Sequence, residues 1–237
     1  MRRLIATVAL CFVAMPAAAQ DWNNLATSEA MNQVHTTMRQ HMIVNPAEEG
    51  EPRRSSTRRP AAVVDAAYPV DRAIRRDVER RLVATVAQKD KAAGEQLSAT
   101  FARHDLIGMA DRALASLGLR SGNVIDAVTI YRLAMWGAAH GLTTPPPKAS
   151  ITGARRQTAA GFDLSGAGLD TAARRQQFSE TLLYQAILMD LASEQAQKEG
   201  DQATIGALRK SAHQALRATG IDPDRMRLTA NGFTPPS

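Results

Sequence analysis

The chain has 237 residues, of which 44% are apolar and 4% aromatic, with 29 basic against 23 acidic side chains. This length suffices for one sizeable domain with an appendage. A core filled mainly by alanine and leucine favours close-packed helices over a sheet. The mild basic excess, with so few aromatic residues, argues against nucleic-acid binding, and the absence of a fixed repeat period argues against a solenoid.

The N-terminus has the three parts of a secretory signal peptide. Met1-Arg2-Arg3 is basic, residues 4–15 form an apolar run, and small side chains stand at Ala17 and Ala19. The apolar run is too short for a membrane span, which takes ~20 residues. We therefore predict cleavage between Ala19 and Gln20 and localisation to the periplasm or the medium.

Cys11 is the single cysteine and lies within the predicted signal peptide. Bulky Leu10 before it does not suit a lipoprotein site, and Arg2-Arg3 lacks the flanking residues of a twin-arginine signal. The mature chain is thus predicted to have no disulfide and no thiol nucleophile. Removing two arginines from 29 basic residues leaves 27 against 23, a net charge of +4, which permits weak contact with an anionic membrane surface.

Two segments are predicted to precede the main domain. Residues 20–44 form an amphipathic leader helix, with a stripe at helical spacing made of Met31, Val34, Met38 and Met42. Flexible methionines suit a shallow contact, so this helix either packs loosely on the domain or binds a partner or a membrane surface. Residues 45–62 are rich in proline, serine and charge, which predicts a disordered linker.

From residue 63 to 233 the apolar periodicity predicts an all-α domain, a compact bundle of about six helices, followed by a tail at 234–237. The first helix follows Tyr68-Pro69 with Asp71 as its cap. A short helix surrounds Leu97, and a third runs from Asp105 to Gly118.

The fourth helix is predicted over Val124 to His140 and is apolar around most of its circumference, so it should be central. Residues 151–160 are compatible with a short helix. A long helix, capped by Asp170 or Thr171, continues to about residue 198, and a last helix ends at Gly220. No stretch alternates with period two, so no sheet is expected.

Several short runs resemble an uncharacterised family of exported bacterial helical proteins. They are Tyr68-Pro69, Asp105-Leu106-Ile107, Asp111-Arg112, Gly118 to Asn123, Trp136, Gly141, Gln177, Glu180, and Leu228-Thr229 with Gly232-Phe233. The similarity covers roughly residues 65–233. It implies a bacterial envelope or secreted protein and brings no activity.

The sequence contains no motif with recognised chemistry. No two of its five histidines stand at the i, i+4 spacing of a metal site. Nucleotide-binding glycine loops and the nucleophile elbow are also missing. Asp126 and His140 share a helix face but stand about 21 Å apart at 1.5 Å per residue, too far for a dyad. We assign no catalytic, metal-binding or cofactor-binding residue and no cofactor.

Trp136 and His140 are the candidates for lining a groove. They stand at i and i+4, so their rings can stack at its edge. The alternative is core packing for Trp136, with His140 beside the last carbonyls of the helix.

Glu180 is the structural polar candidate, because it shares a helix face with Gln177 and Tyr184 that leads into an apolar segment. A carboxylate in a core has a raised pKa, as a general acid needs, but is nearly always paired. We predict an ion pair or interhelix hydrogen bond, with Arg132 or Arg112 as the partner.

Two functions remain open. The first is a non-enzymatic envelope or secreted protein that binds another macromolecule, a protein or an envelope component, in an unspecified oligomeric state. The second is an enzyme acting on an envelope or extracellular substrate, with a groove near Trp136. An enzyme should show a pocket where polar groups converge, whereas a binding protein should show an exposed apolar patch.

Overall fold

In the computed structural model, which describes residues 66–236, seven helices precede a short hairpin. The helices are α1 (Arg72–Ala87), α2 (Lys91–Arg103), α3 (Leu106–Ser116), α4 (Val124–His140), α5 (Lys148–Gly161), α6 (Ala172–Glu199) and α7 (Gln202–Ala218). The predicted all-α bundle is confirmed for these residues, with α5 as a full helix of 14 residues. The predicted signal peptide (1–19), leader helix (20–44) and linker (45–62) lie outside the described residues, as do residues 63–65 at the start of the predicted domain.

Short polar side chains begin six of the seven described helices, all except α5, by accepting bonds from otherwise unpaired backbone N–H groups. Asp71 caps α1 through a 2.6 Å bond from the Ala73 N–H, and Asp105 caps α3. Of the two candidates for the long helix, Thr171 is the cap of α6. Gly141 ends α4 at φ +64°, where a side chain would be strained.

Helix α4 is central, as predicted, because thirteen of its seventeen residues are buried. It packs against α6, α7 and α5. Tyr131 and Met135 of α4 join Leu182 of α6 and Leu216 of α7 in the larger core. A helix apolar on nearly all sides is stable only when other helices surround it.

A second core lies between α6 and the first three helices. Leu82 of α1, Ile107 of α3 and Tyr184 of α6 meet there. The chain before α1 is attached to the start of α4, since Tyr68 donates from its hydroxyl to the Ser121 carbonyl at 2.6 Å. Helix α1 itself packs directly on α6.

The expectation of no sheet is wrong. Strands β1 (Arg227–Thr229) and β2 (Gly232–Thr234) pair antiparallel, with Leu228 opposite Phe233. Each strand has three residues, which is too short for alternation to be visible in the sequence. The hairpin packs on α5 and closes one side of the bundle.

Candidate functional site

The rings of Trp136 and His140 stack, with centroids 4.0 Å apart and planes inclined by 28°. Trp136 is buried, whereas His140 is exposed at the last turn, where its Nδ1 lies 3.0 Å from the Trp136 carbonyl oxygen. The edge of Trp136 is covered by Phe233 of β2, at 5.3 Å between centroids. Trp136 is therefore a core residue packed against the hairpin.

A cavity of about 170 Å³ is lined in part by Phe233. Helix α4, the end of α5, the end of α7 and the hairpin line it, and it is partly open to solvent. Its lining consists of Arg132, Gln157, Gly161, Phe162, Thr219, Gly220, Ile221, Met226 and Phe233. Phe233 both lines this cavity and contacts Trp136, so we take the cavity as the candidate site.

Arg132 supplies the charge at the cavity. Its Nη1 donates to the Thr158 hydroxyl at 3.1 Å and its Nη2 to the Thr219 carbonyl at 3.0 Å, which ties α5 to the end of α7. Burial lowers the pKa of Arg132 to about 10, so the guanidinium stays charged at neutral pH. The sequence prediction that Arg132 pairs with Glu180 is wrong.

Gln157 holds the hairpin against α5. Its amide nitrogen donates to the Phe233 carbonyl at 2.9 Å, and its amide oxygen accepts from the Phe233 N–H at 2.9 Å. The side chain thereby pairs with β2 as a neighbouring strand would. Sequence reasoning missed Gln157, because an exposed amide on a helix carries no signal of a backbone partner 76 residues away.

Glu180 lies between α6 and α1, away from the cavity lining. Its Oε1 accepts two bonds from Arg75, at 3.0 Å from Nε and 2.9 Å from Nη2, and a third from Gln176 at 3.1 Å. The partner is thus Arg75 and not Arg132 or Arg112. Burial raises the pKa of Glu180, while the bonds from Arg75 oppose this shift. The carboxylate joins two helices.

The side chain of Arg75 is only 16% exposed, although Arg72 and Arg76 beside it on α1 are exposed. Arg75 and Glu180 belong to a polar contact between α1 and α6, which we call the α1–α6 seam. It also includes Tyr184, whose hydroxyl donates to Glu79 at 2.5 Å. Gln176 donates to the Asp71 carbonyl at 2.7 Å. The seam is a set of interhelix bonds, which specify how α1 sits on α6.

Asp126 is fully buried, and the hydrogen bonds described for it involve no histidine. Its Oδ1 accepts from Arg155 Nε of α5 at 2.5 Å, and its Oδ2 accepts from the Arg120 backbone N–H at 3.1 Å. A buried carboxylate with these donors is a structural ion pair.

Within residues 66–236, no group of three or more His, Cys, Asp or Glu side chains is arranged to hold a metal ion. In the same range no helix combines the length and apolarity that crossing a bilayer requires. The predicted cleavage residues Ala19 and Gln20 lie outside this range.

The described part of the chain defines a small helical bundle closed by a hairpin, with one cavity beside that hairpin as its candidate site. Residues 1–234 match the Family of unknown function (DUF6683), and the chain belongs to this family. The resemblance to an uncharacterised family is thereby confirmed at that level. No curated protein and no solved structure matches the chain.

Proposed function

We propose that this protein is an exported, non-enzymatic component of the bacterial envelope or secretions that binds another macromolecule. The structural roles of its buried carboxylates support this proposal. The carboxylates of Glu180 and Asp126 each bind an arginine of a neighbouring helix. The described cavity lining contains no carboxylate, histidine, lysine or cysteine. The two buried carboxylates and their arginine partners therefore hold helices together, and they do not form an acid–base pair for catalysis.

The surface proposed for partner binding is the hairpin face, which we define as Arg156, Arg225 and Arg227. All three are exposed, and Arg156 reaches the hairpin at the Ala230 carbonyl, 3.4 Å away. The acidic residues Asp222 and Asp224 precede the hairpin but are bound by Arg217. The hairpin face therefore suits an envelope component that presents acidic groups, and it would also favour weak contact with an anionic membrane surface.

One observation favours the second candidate function, an enzyme acting on an envelope or extracellular substrate. Phe233 contacts Trp136 and also lines the cavity, so a partly open cavity lies close to Trp136. Arg132 and Gln157 could orient the oxygen atoms of a substrate there. Neither side chain exchanges a proton readily at neutral pH, so binding is the better supported function.

The test is capture of a partner from envelope extract on the immobilised chain from Gln20 to Ser237. In one variant, Arg156, Arg225 and Arg227 are all changed to Ser. The control changes Arg72, Arg76 and Arg112 to Ser, three exposed arginines elsewhere, and so removes the same charge. At ~0.5 kcal/mol per exposed charge, the hairpin-face variant should bind about tenfold more weakly, and the control as wild type.

Equal losses in the two variants would show that only net charge matters and would contradict a specific hairpin face. Conversion of an extract component by the wild-type protein, with loss of this conversion in Arg132→Met, would support the enzyme instead.

A further inference from the structure

We propose that the cavity beside the hairpin binds a neutral small molecule built around a single aromatic ring. This inference goes beyond the proposed function, because it involves neither export nor a macromolecular partner. It depends on three features of the cavity: its apolar lining, the buried charge of Arg132, and the hydrogen bonds that fix its walls.

The apolar part of the wall favours an aromatic guest. Phe162 and Phe233 contribute two rings, Met226 a thioether and Ile221 a branched side chain. Aromatic rings prefer edge or offset contacts with other rings, and thioether sulfur makes favourable contacts with ring edges. A guest with a ring therefore gains specific contacts in addition to the burial of apolar area.

Arg132 adds a planar cation to the same wall. Two of its in-plane N–H groups are directed to Thr158 and Thr219. A guanidinium held through its edge still presents a flat face, and that face stacks on aromatic rings. This contact requires no further N–H donor from Arg132 and no negative charge on the guest.

The size and the fixed walls suit one ring. The cavity is about 170 Å³, and an apolar cavity of ~150 Å³ in another protein accommodates benzene. Arg132 ties α5 to the end of α7, while Gln157 ties α5 to β2. Because side-chain hydrogen bonds cross-link three of its walls, the site is largely formed before a ligand arrives.

The first experiment is calorimetric titration of the chain from Gln20 to Ser237 with p-cresol. Two probes of similar size are compared with it, namely 4-methylcyclohexanol, which lacks the ring, and 4-methylbenzoate, which is an anion. We expect p-cresol to bind about tenfold more tightly than either. No binding of p-cresol at millimolar concentration would overturn the proposal, and tighter binding of 4-methylbenzoate would overturn the neutral ligand class.

The second experiment fills the cavity. Met226→Trp should weaken p-cresol binding at least about tenfold, because the indole occupies the space of the guest. Met109→Trp is the matched control, since Met109 is half-buried on α3 and does not line the cavity. Equal effects of the two substitutions would overturn the proposal. Should circular dichroism show that Met226→Trp is unfolded, Phe162→Leu replaces it and should weaken binding about threefold by removing a ring.

Discussion

Glu180 shows, at the scale of single residues, how burial and pairing act against each other. Its Oε1 accepts all three described bonds, from Arg75 and Gln176, while Oε2 is buried with no hydrogen-bond donor among the described residues. Desolvation is the largest influence on its pKa, which lies above the ordinary value of 4.5. The ion pair therefore specifies the α1–α6 contact more than it stabilises the fold.

We expect the unfolding free energy of the wild type, relative to Glu180→Gln, to fall as pH rises. A raised pKa means that the folded state binds the proton more tightly than the unfolded chain. This stabilisation is complete below about pH 4.5, and it is lost as the pH rises through the pKa of Glu180 in the folded protein. Chemical denaturation of both proteins between pH 3.5 and about pH 7 measures this difference.

Arg75→Met provides the second arm of that measurement. The hydrogen bonds from Arg75 lower the pKa of Glu180, so removing Arg75 should raise that pKa further. The loss of stability should then extend to higher pH. A relative stability that instead increased with pH in the wild type would mean that the pairing outweighs burial.

At the scale of elements, the docking of the hairpin on α5 depends on Gly153. A Cβ built at this position would stand 2.6 Å from the Gly232 nitrogen and closer still to the Ala230 carbonyl. Both neighbours are backbone atoms, which cannot rotate away. The helix and the hairpin can approach this closely only because position 153 has no side chain.

Gly153→Ala should therefore destabilise the protein, by about 1–3 kcal/mol for overpacking less ~1 kcal/mol of improved helix propensity. Gly137→Ala in α4 is the control, because a Cβ there meets no atom within 4 Å. That variant should be neutral or up to ~1 kcal/mol more stable. Denaturant unfolding followed by circular dichroism compares the three proteins, and an equally stable Gly153→Ala would contradict the close approach.

For the whole molecule, the predicted export depends on residues before the described range. We expect protein recovered from the envelope or the medium to begin at Gln20, because Ala17 and Ala19 suit the shallow pockets of signal peptidase. Intact mass and N-terminal sequencing measure this. Changing Ala17 and Ala19 to Leu should leave more than about 90% of the chain uncut, whereas Ala18→Leu, between them, should be cut normally.

A chain recovered from the cytoplasm with Met1 in place would contradict export. It would leave the cavity proposal unaffected, because that site is built from residues 132–233.

The sequence by itself determined the helical class, the central place of α4 and most of the caps. Each of these follows from contacts within a few residues, such as apolar periodicity around Tyr131 or the side chain of Asp71 bonding Ala73. It also indicated that Glu180 would be buried, because its neighbours on α6 are apolar.

Only the tertiary structure decided the partners of the buried charges and the candidate site. Arg75 meets Glu180 across 105 residues, Arg132 meets Thr219 across 87, and Gln157 meets Phe233 across 76. Apolar periodicity places many arginine and glutamine side chains on the polar faces of helices. It therefore cannot show which of them will bind a particular buried acceptor. The choice arises when the packed helices bring one donor within hydrogen-bonding distance of one acceptor, where leaving either unpaired would cost the desolvation of a polar group.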